Sequence, residues 1–248
     1  MTDLRHDKKF KHELYSNLGT IVTPIAIQYL MSSLVTASDA FMLGFLDQDS
    51  LSASSLAGQV AFVFSLFYGA FVFGLNVLAA QYWGKGDEKK TSAVLAITMR
   101  YSIIVGLVFT LAALLIPETI MLVFTKDPAL IRLGGKYLRT VAVSYLLTSY
   151  TQTYFAMMKV CDRATLSSMI GSIAVVVNII LNAIFIFGLG PAPKMGIEGA
   201  ALATLLARVL ETVLVIIAVC RKQCMPLDLK VMLHTDDREL VRDYWKYT

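Results

Sequence analysis

The sequence predicts an all-α integral membrane protein, a bundle of six transmembrane helices, and three observations carry that expectation. Of its 248 residues, 56% are hydrophobic and only 16% are charged, against about 45–50% and about 25% in a soluble domain. Six mostly apolar segments each reach the roughly 20 residues that a helix needs to cross a bilayer. Lysine and arginine are spread unevenly over the connecting loops, as the sidedness of a multi-pass protein requires.

The first span, 18–45, reads LGTIVTPIAIQYLMSSLVTASDAFMLGF and follows Arg5, Lys8, Lys9 and Lys11. It is longer than a signal-peptide core of about 7–15 residues and more spans follow it, so it is read as a retained helix. Pro24 removes a backbone donor inside it and is expected to bend it. Gln28, Ser32, Val35 and Asp39 are spaced four, three and four apart, which puts them on one helical face. That polar stripe ends in a carboxylate with two readings. Asp39 is either hydrated by headgroup water near the outer end of the span, or a buried acid that exchanges a proton or binds a cation. The second role is the one for which intramembrane acids are usually retained.

The second span, 51–83, follows the acidic link Asp47-Gln48-Asp49 and ends in the loop Gly84-Lys85-Gly86-Asp87. Gly69 and Gly74 within it are candidates for close helix approach. The third, 92–116, stops at Pro117, and Arg100 near its inner end is expected to snorkel. Segment 118–136 alternates apolar and charged residues and is expected to rest on the membrane surface. The fourth span, 137–159, offers Tyr137, Tyr145, Thr148, Ser149, Gln152 and Thr153 for packing or for lining a cavity.

In the fifth span, 166–189, Asn178 and Asn182 lie four apart, so both amides point the same way. A single asparagine would serve as interhelical glue; two on one face of an apolar run point to a polar pocket. The sixth span, 197–220, is crowded with Gly196, Gly199, Ala200, Ala203, Thr204 and Ala207 at its start, small residues that let a neighbouring backbone come close. Arg208 and Glu211, three apart, are placed to pair and neutralise each other, with substrate-charge recognition as the alternative. Residues 1–17 read as a cytoplasmic N-terminal segment, 18–222 as the membrane lobe and 223–248 as a charged cytoplasmic linker.

With the N-terminus inside, eleven basic loop residues (Arg5, Lys8, Lys9, Lys11, Lys85, Lys89, Lys90, Lys159, Arg163, Arg221 and Lys222) face the cytoplasm. Five (Lys126, Arg132, Lys136, Arg139 and Lys194) face out. The asymmetry predicts that both ends of the chain are cytoplasmic, and the plasma membrane is the expected location. Three cysteines with no framework spacing read as free thiols in a reducing compartment. No metal-ligand spacing, phosphate loop or nucleophile motif is present, and His6, His12 and His234 lie outside the spans. The chain is therefore not read as an enzyme, and no cofactor, metal or nucleic-acid partner is expected.

Four pieces in order, SDAFMLGFL around Asp39, AAQYWGKGD, NIILNAIFIFGLG and MGIEGAALATLLARVLE, resemble the multidrug and toxic compound extrusion (MATE) transporters. The resemblance implies one lobe of a twelve-helix, two-lobe antiporter that exports drugs or organic cations in exchange for H+ or Na+. Access would alternate around a cavity between the lobes. It makes Asp39 the cation-coupling acid, with Asn178, Asn182, Tyr137 and Thr204 as its polar network and Pro24 as the bending point. Gln28, Ser32, Gln152, Arg208 and Glu211 are then candidates for cavity lining. Position 182, often aspartate in the family, is an amide here, which tilts the expectation toward protons. The expected partners are a small-molecule substrate, the lipid bilayer and a second six-helix lobe, from the same full-length chain or from a partner subunit. The chain stops at Thr248, where a linker into a seventh helix is expected, so this lobe alone is expected not to transport. Two rival readings are a lipid-linked oligosaccharide flippase of the same superfamily and a non-transporting membrane assembly protein.

Overall fold

The computed structural model describes residues 2–189, 193–227, 231–232 and 237–248, with the side chains of 2–18, 20, 21 and 24 outside that description. Among the described residues the chain is helical and forms no strand. Helix α1 runs Thr2–Gly44, α2 Gln48–Gly84 and α3 Glu88–Leu115. A short α4, Pro117–Leu122, precedes α5, Pro128–Val160. Then come α6, Ala164–Phe187, α7, Ile197–Cys220, and a terminal α8, Arg238–Tyr247.

Aspartates set many of the starts. Asp47 accepts the Ser50 amide at 2.6 Å, Asp87 that of Lys90 at 3.0 Å, Asp127 that of Ala129 at 2.8 Å and Asp237 that of Leu240 at 2.9 Å. Each satisfies an amide that the helix itself leaves open. At the other end of α6, Gly188 takes φ 73°, the left-handed cap that glycine adopts without a steric penalty.

Asp127 and Pro128 together correct one expectation. Segment 118–136 does not lie along the membrane surface as one piece: α4 takes its first residues, and 128–136 form the opening turns of α5. Pro128 at the first helical position loses nothing by lacking an N–H. Met121 of α4 is then buried against Gly134, where a Cβ would come within 2.2 Å of the methionine methyl carbon.

Among the described residues four helices, α2, α3, α6 and α7, are long and apolar enough to cross a membrane on composition alone. Helix α5 falls short because it is the central post, packed against α2, α3, α6 and α7. Its Ser144, Ser149, Thr151 and Thr153 are buried. Their hydroxyls can turn back on the helix, as Thr153 does to the Ser149 carbonyl at 2.8 Å. Helix α1 packs mainly on α6 and presents Leu30, Phe41 and Phe45 outward. Together with Phe62, Leu66 and Phe73 of α2 and Val108 and Leu115 of α3, they form an apolar exterior that lipid, not water, would solvate.

Small residues act as expected in α7, where a Cβ on Gly199 would stand 2.6 Å from the Phe185 carbonyl oxygen of α6. Gly106, which sequence reasoning passed over, brings α3 equally close to α5: its added Cβ would meet Ser149 Oγ at 2.3 Å. Gly69 faces open space, so its expected packing role is corrected, and Gly74 faces α8. Arg100 does not snorkel to the headgroups. Its Nη2 donates to the Val231 carbonyl at 3.1 Å and its Nε to the Met232 carbonyl, tying the segment after α7 to α3.

Candidate functional site

Six-helix packing leaves a cavity of about 490 Å³ whose wall draws on α1, α2, α5, α6 and α7. The stripe read from the first span forms its α1 side: Gln28, Ser32, Val35 and Asp39 all line it. The helical period alone explains that alignment. From α5 come Tyr137 and Gln152, from α6 Asn178, and from α7 Thr204, Arg208 and Glu211. Gln28, Ser32, Gln152, Arg208 and Glu211 all border this one space, whereas Tyr145, Thr148, Ser149 and Thr153 of α5 do not.

Asn182 stands just behind the wall, fully buried, and organises it. Its Nδ2 donates to Asp39 Oδ1 and to Asn178 Oδ1, the latter at 3.1 Å. One amide thus joins a carboxylate on α1 to an amide one turn away on α6. The Asn182 Oδ1 is buried and finds no hydrogen-bond partner among the described residues. An orphan acceptor beside a carboxylate suits a proton or a small cation, since either supplies the positive partner it lacks.

Arg208 Nη1 meets Glu211 Oε2 at 2.7 Å. The glutamate side chain is 3% exposed and the arginine 38%, so the pair neutralises a buried acid while the guanidinium keeps one edge on the cavity. Thr204 Oγ1 donates to the Ala200 carbonyl at 3.0 Å, leaving lone pairs toward Tyr137. The backbone at position 24 is helical within α1, but the bend expected at Pro24 rests on a side chain outside the described residues.

Sequence reasoning missed Tyr68 of α2 and Lys159 at the end of α5, both on the cavity wall. Lys159 Nζ lies 5.9 Å from the Tyr29 ring centroid, a cation–π contact between α5 and α1. Lys159 follows Gln152 by seven residues and so shares its helical face, a signal that could have found it; Tyr68 is brought here by the packing of α2 against the other helices. Among the described residues no group of three or more histidine, cysteine or acidic side chains is arranged to hold a metal ion.

The MatE family profile matches residues 24–184, which include Asp39 and the two asparagines. This chain belongs to the MatE family. A probable multidrug resistance protein, YoeA, of Bacillus subtilis is 23% identical over 223 residues, covering 89% of this chain and 48% of the relative. A probable multidrug resistance protein, NorM, of Rhizobium meliloti is 28% identical over 171 residues, covering 69% of this chain and 36% of the relative. Among solved structures, an outward-facing multidrug resistance MATE family transporter superposes with a TM-score of 0.81 at 20% identity. That match takes in 93% of this chain and 50% of the solved one. The MatE chain therefore has the all-α membrane fold of a MATE lobe and spans about half the length of these proteins.

Proposed function

We propose that this chain is the N-terminal half of a cation-coupled antiporter that exports drug-like organic molecules from the cytoplasm, with Asp39 as its ion-responsive group. The observation that carries the reading is the Asp39–Asn182–Asn178 chain opening on a cavity walled by α1, α2, α5, α6 and α7. The multidrug resistance names of the relatives support the substrate class. Residues 18–222 are the membrane lobe, and 1–17 and 223–248 lie on the cytoplasmic side. A second six-helix lobe, within a longer chain or from a partner, closes the cavity.

Protons are the favoured coupling ion. With Asp39 ionised, its Oδ1 accepts from Asn182 Nδ2; once protonated, it loses its charge and gains an O–H donor while its other oxygen still accepts. Proton occupancy thus changes the charge held at the contact between α1 and α6, and tilts the equilibrium between the two faces of the transporter to the extent that each face favours one protonation state. A single carboxylate at the site is thin for sodium, which prefers more anionic oxygen. A flippase for lipid-linked oligosaccharides would want a strongly cationic cavity, and here Glu211 neutralises Arg208.

The test is drug uptake into proteoliposomes holding this chain with a complementary second lobe, driven by an imposed pH gradient in sodium-free buffer. Uptake that follows the gradient supports proton coupling. A strict sodium requirement would overturn it.

A further inference from the structure

Where α2 ends and α3 begins, away from Asp39, the bundle holds a second cleft of about 690 Å³. It opens between the α2–α3 turn, the α5–α6 turn and the segment that follows α7, and it shares no lining residue with the Asp39 cavity. Its charged lining is one-sided: Lys89, Arg163 and Lys222 against Glu88. The three cations are exposed, and none forms an ion pair among the described residues. Of the carboxylates in the two turns, Asp162 lies 3.5 Å from the Trp83 indole nitrogen and Asp87 caps α3 through the Lys90 amide.

The remaining wall is apolar, made by Trp83, Ala93, Met225, Pro226 and the two thiols Cys161 and Cys224. Burial pushes both thiols up to about 11, so they stay neutral and add no negative charge. The backbone is strained on both sides of the cleft. Asp162 at φ 59° and Lys222 at φ 55° are the non-glycine residues with positive φ among those described. Each follows the end of a long helix, where glycine would sit without cost.

We propose that this cleft binds the phosphate group of an anionic phospholipid, with Lys89, Arg163 and Lys222 around the phosphate and the start of the acyl chains along the Trp83–Met225–Pro226 wall. Basic pockets between spanning helices on the cytoplasmic side suit such headgroups. The lysine and arginine distribution puts this end of the bundle on that side. A free phosphate ester would satisfy the cations but not the apolar wall, which is why the lipid is preferred.

Trp83 is itself the reporter. The chain has two tryptophans, so Trp245→Phe leaves Trp83 as the sole indole. The chain is placed in phosphatidylcholine vesicles containing either brominated phosphatidylglycerol or the same amount of brominated phosphatidylcholine. The expected result is stronger quenching by the anionic lipid, with the preference falling about fivefold for each cation neutralised among Lys89→Gln, Arg163→Gln and Lys222→Gln. Lys222→Gly guards against a trivial loss of fold: it relieves the strained backbone, so it is expected to unfold no more readily while still losing lipid preference. Equal quenching by the two lipids overturns the proposal. Reversal of the quenching by soluble glycerol phosphate overturns the lipid assignment in favour of a free phosphate ester.

Discussion

Asn182 holds two acceptors with one amide nitrogen, and that economy sets what substitutions there should do. Asn182→Ala removes the link between Asp39 on α1 and Asn178 on α6. The expected loss in folding stability is modest, about 0.6–2 kcal/mol for an interhelical hydrogen bond in a membrane, while ion-coupled transport should fail. Comparing thermal unfolding with gradient-driven uptake separates the two effects. Glu211 poses the opposite case. It is buried and Arg208 is bonded to it at 2.7 Å, so Arg208→Met strands a buried carboxylate and should cost about 3–5 kcal/mol. The double change Arg208→Met with Glu211→Leu should recover most of that stability in the same unfolding assay.

Helix α8 shows what elements do that single residues do not. Its Tyr244 is buried and donates to the Phe71 carbonyl of α2 at 2.9 Å, across 173 residues of chain. Trp245 beside it stands 4.9 Å from the Tyr101 ring of α3. Chiefly through burial, the Tyr244 hydroxyl is pushed up to about 12 from its ordinary value near 10. A raised acid is stabilised in its neutral form, so docking is at full strength below pH 10. It should weaken about tenfold per unit as the pH climbs from 10 toward 12. A red shift of Trp245 emission over that window, with Trp83 replaced by Phe, would report release of α8. Gly74→Leu should release it already at neutral pH, because even a Cβ there would meet Thr248 Oγ1 at 2.4 Å. Between the spans, Gly199→Val should cost about 1–3 kcal/mol by forcing α7 off the Phe185 backbone of α6.

Elements were legible in the sequence wherever one period carried them. The four-three-four spacing of Gln28, Ser32, Val35 and Asp39 and the pair Asn178 and Asn182 came from helical geometry alone; the stripe and Asn178 line the cavity, and Asn182 stands behind its wall. Helix α5 was harder to read as a single element, since its Ser, Thr and Tyr content and the charged residues of its first turns hide a helix that runs from Pro128. Long-range partners were not legible. Nothing local to Arg100 says that it will bind the carbonyls of 231 and 232. Nothing local to Tyr68 or Gly106 says which helix each will face.

As a whole molecule, the lobe combines an apolar exterior with a polar cavity and a carboxylate tied to a neighbouring helix. The exterior fits lipid; the cavity, walled by one lobe, fits half of an alternating-access site. The coupling claim rests on Asp39, and Asp39→Asn tests it most directly because the change keeps the shape and removes the titratable group. The measurement is proton-gradient-driven uptake of a fluorescent lipophilic cation in the two-lobe proteoliposomes, with wild-type and Asp39→Asn chains at matched amounts and binding of the same cation measured beside it. The expected result is retained binding with gradient-driven uptake abolished. Uptake by Asp39→Asn at the wild-type rate would contradict the assignment of Asp39 as the coupling group.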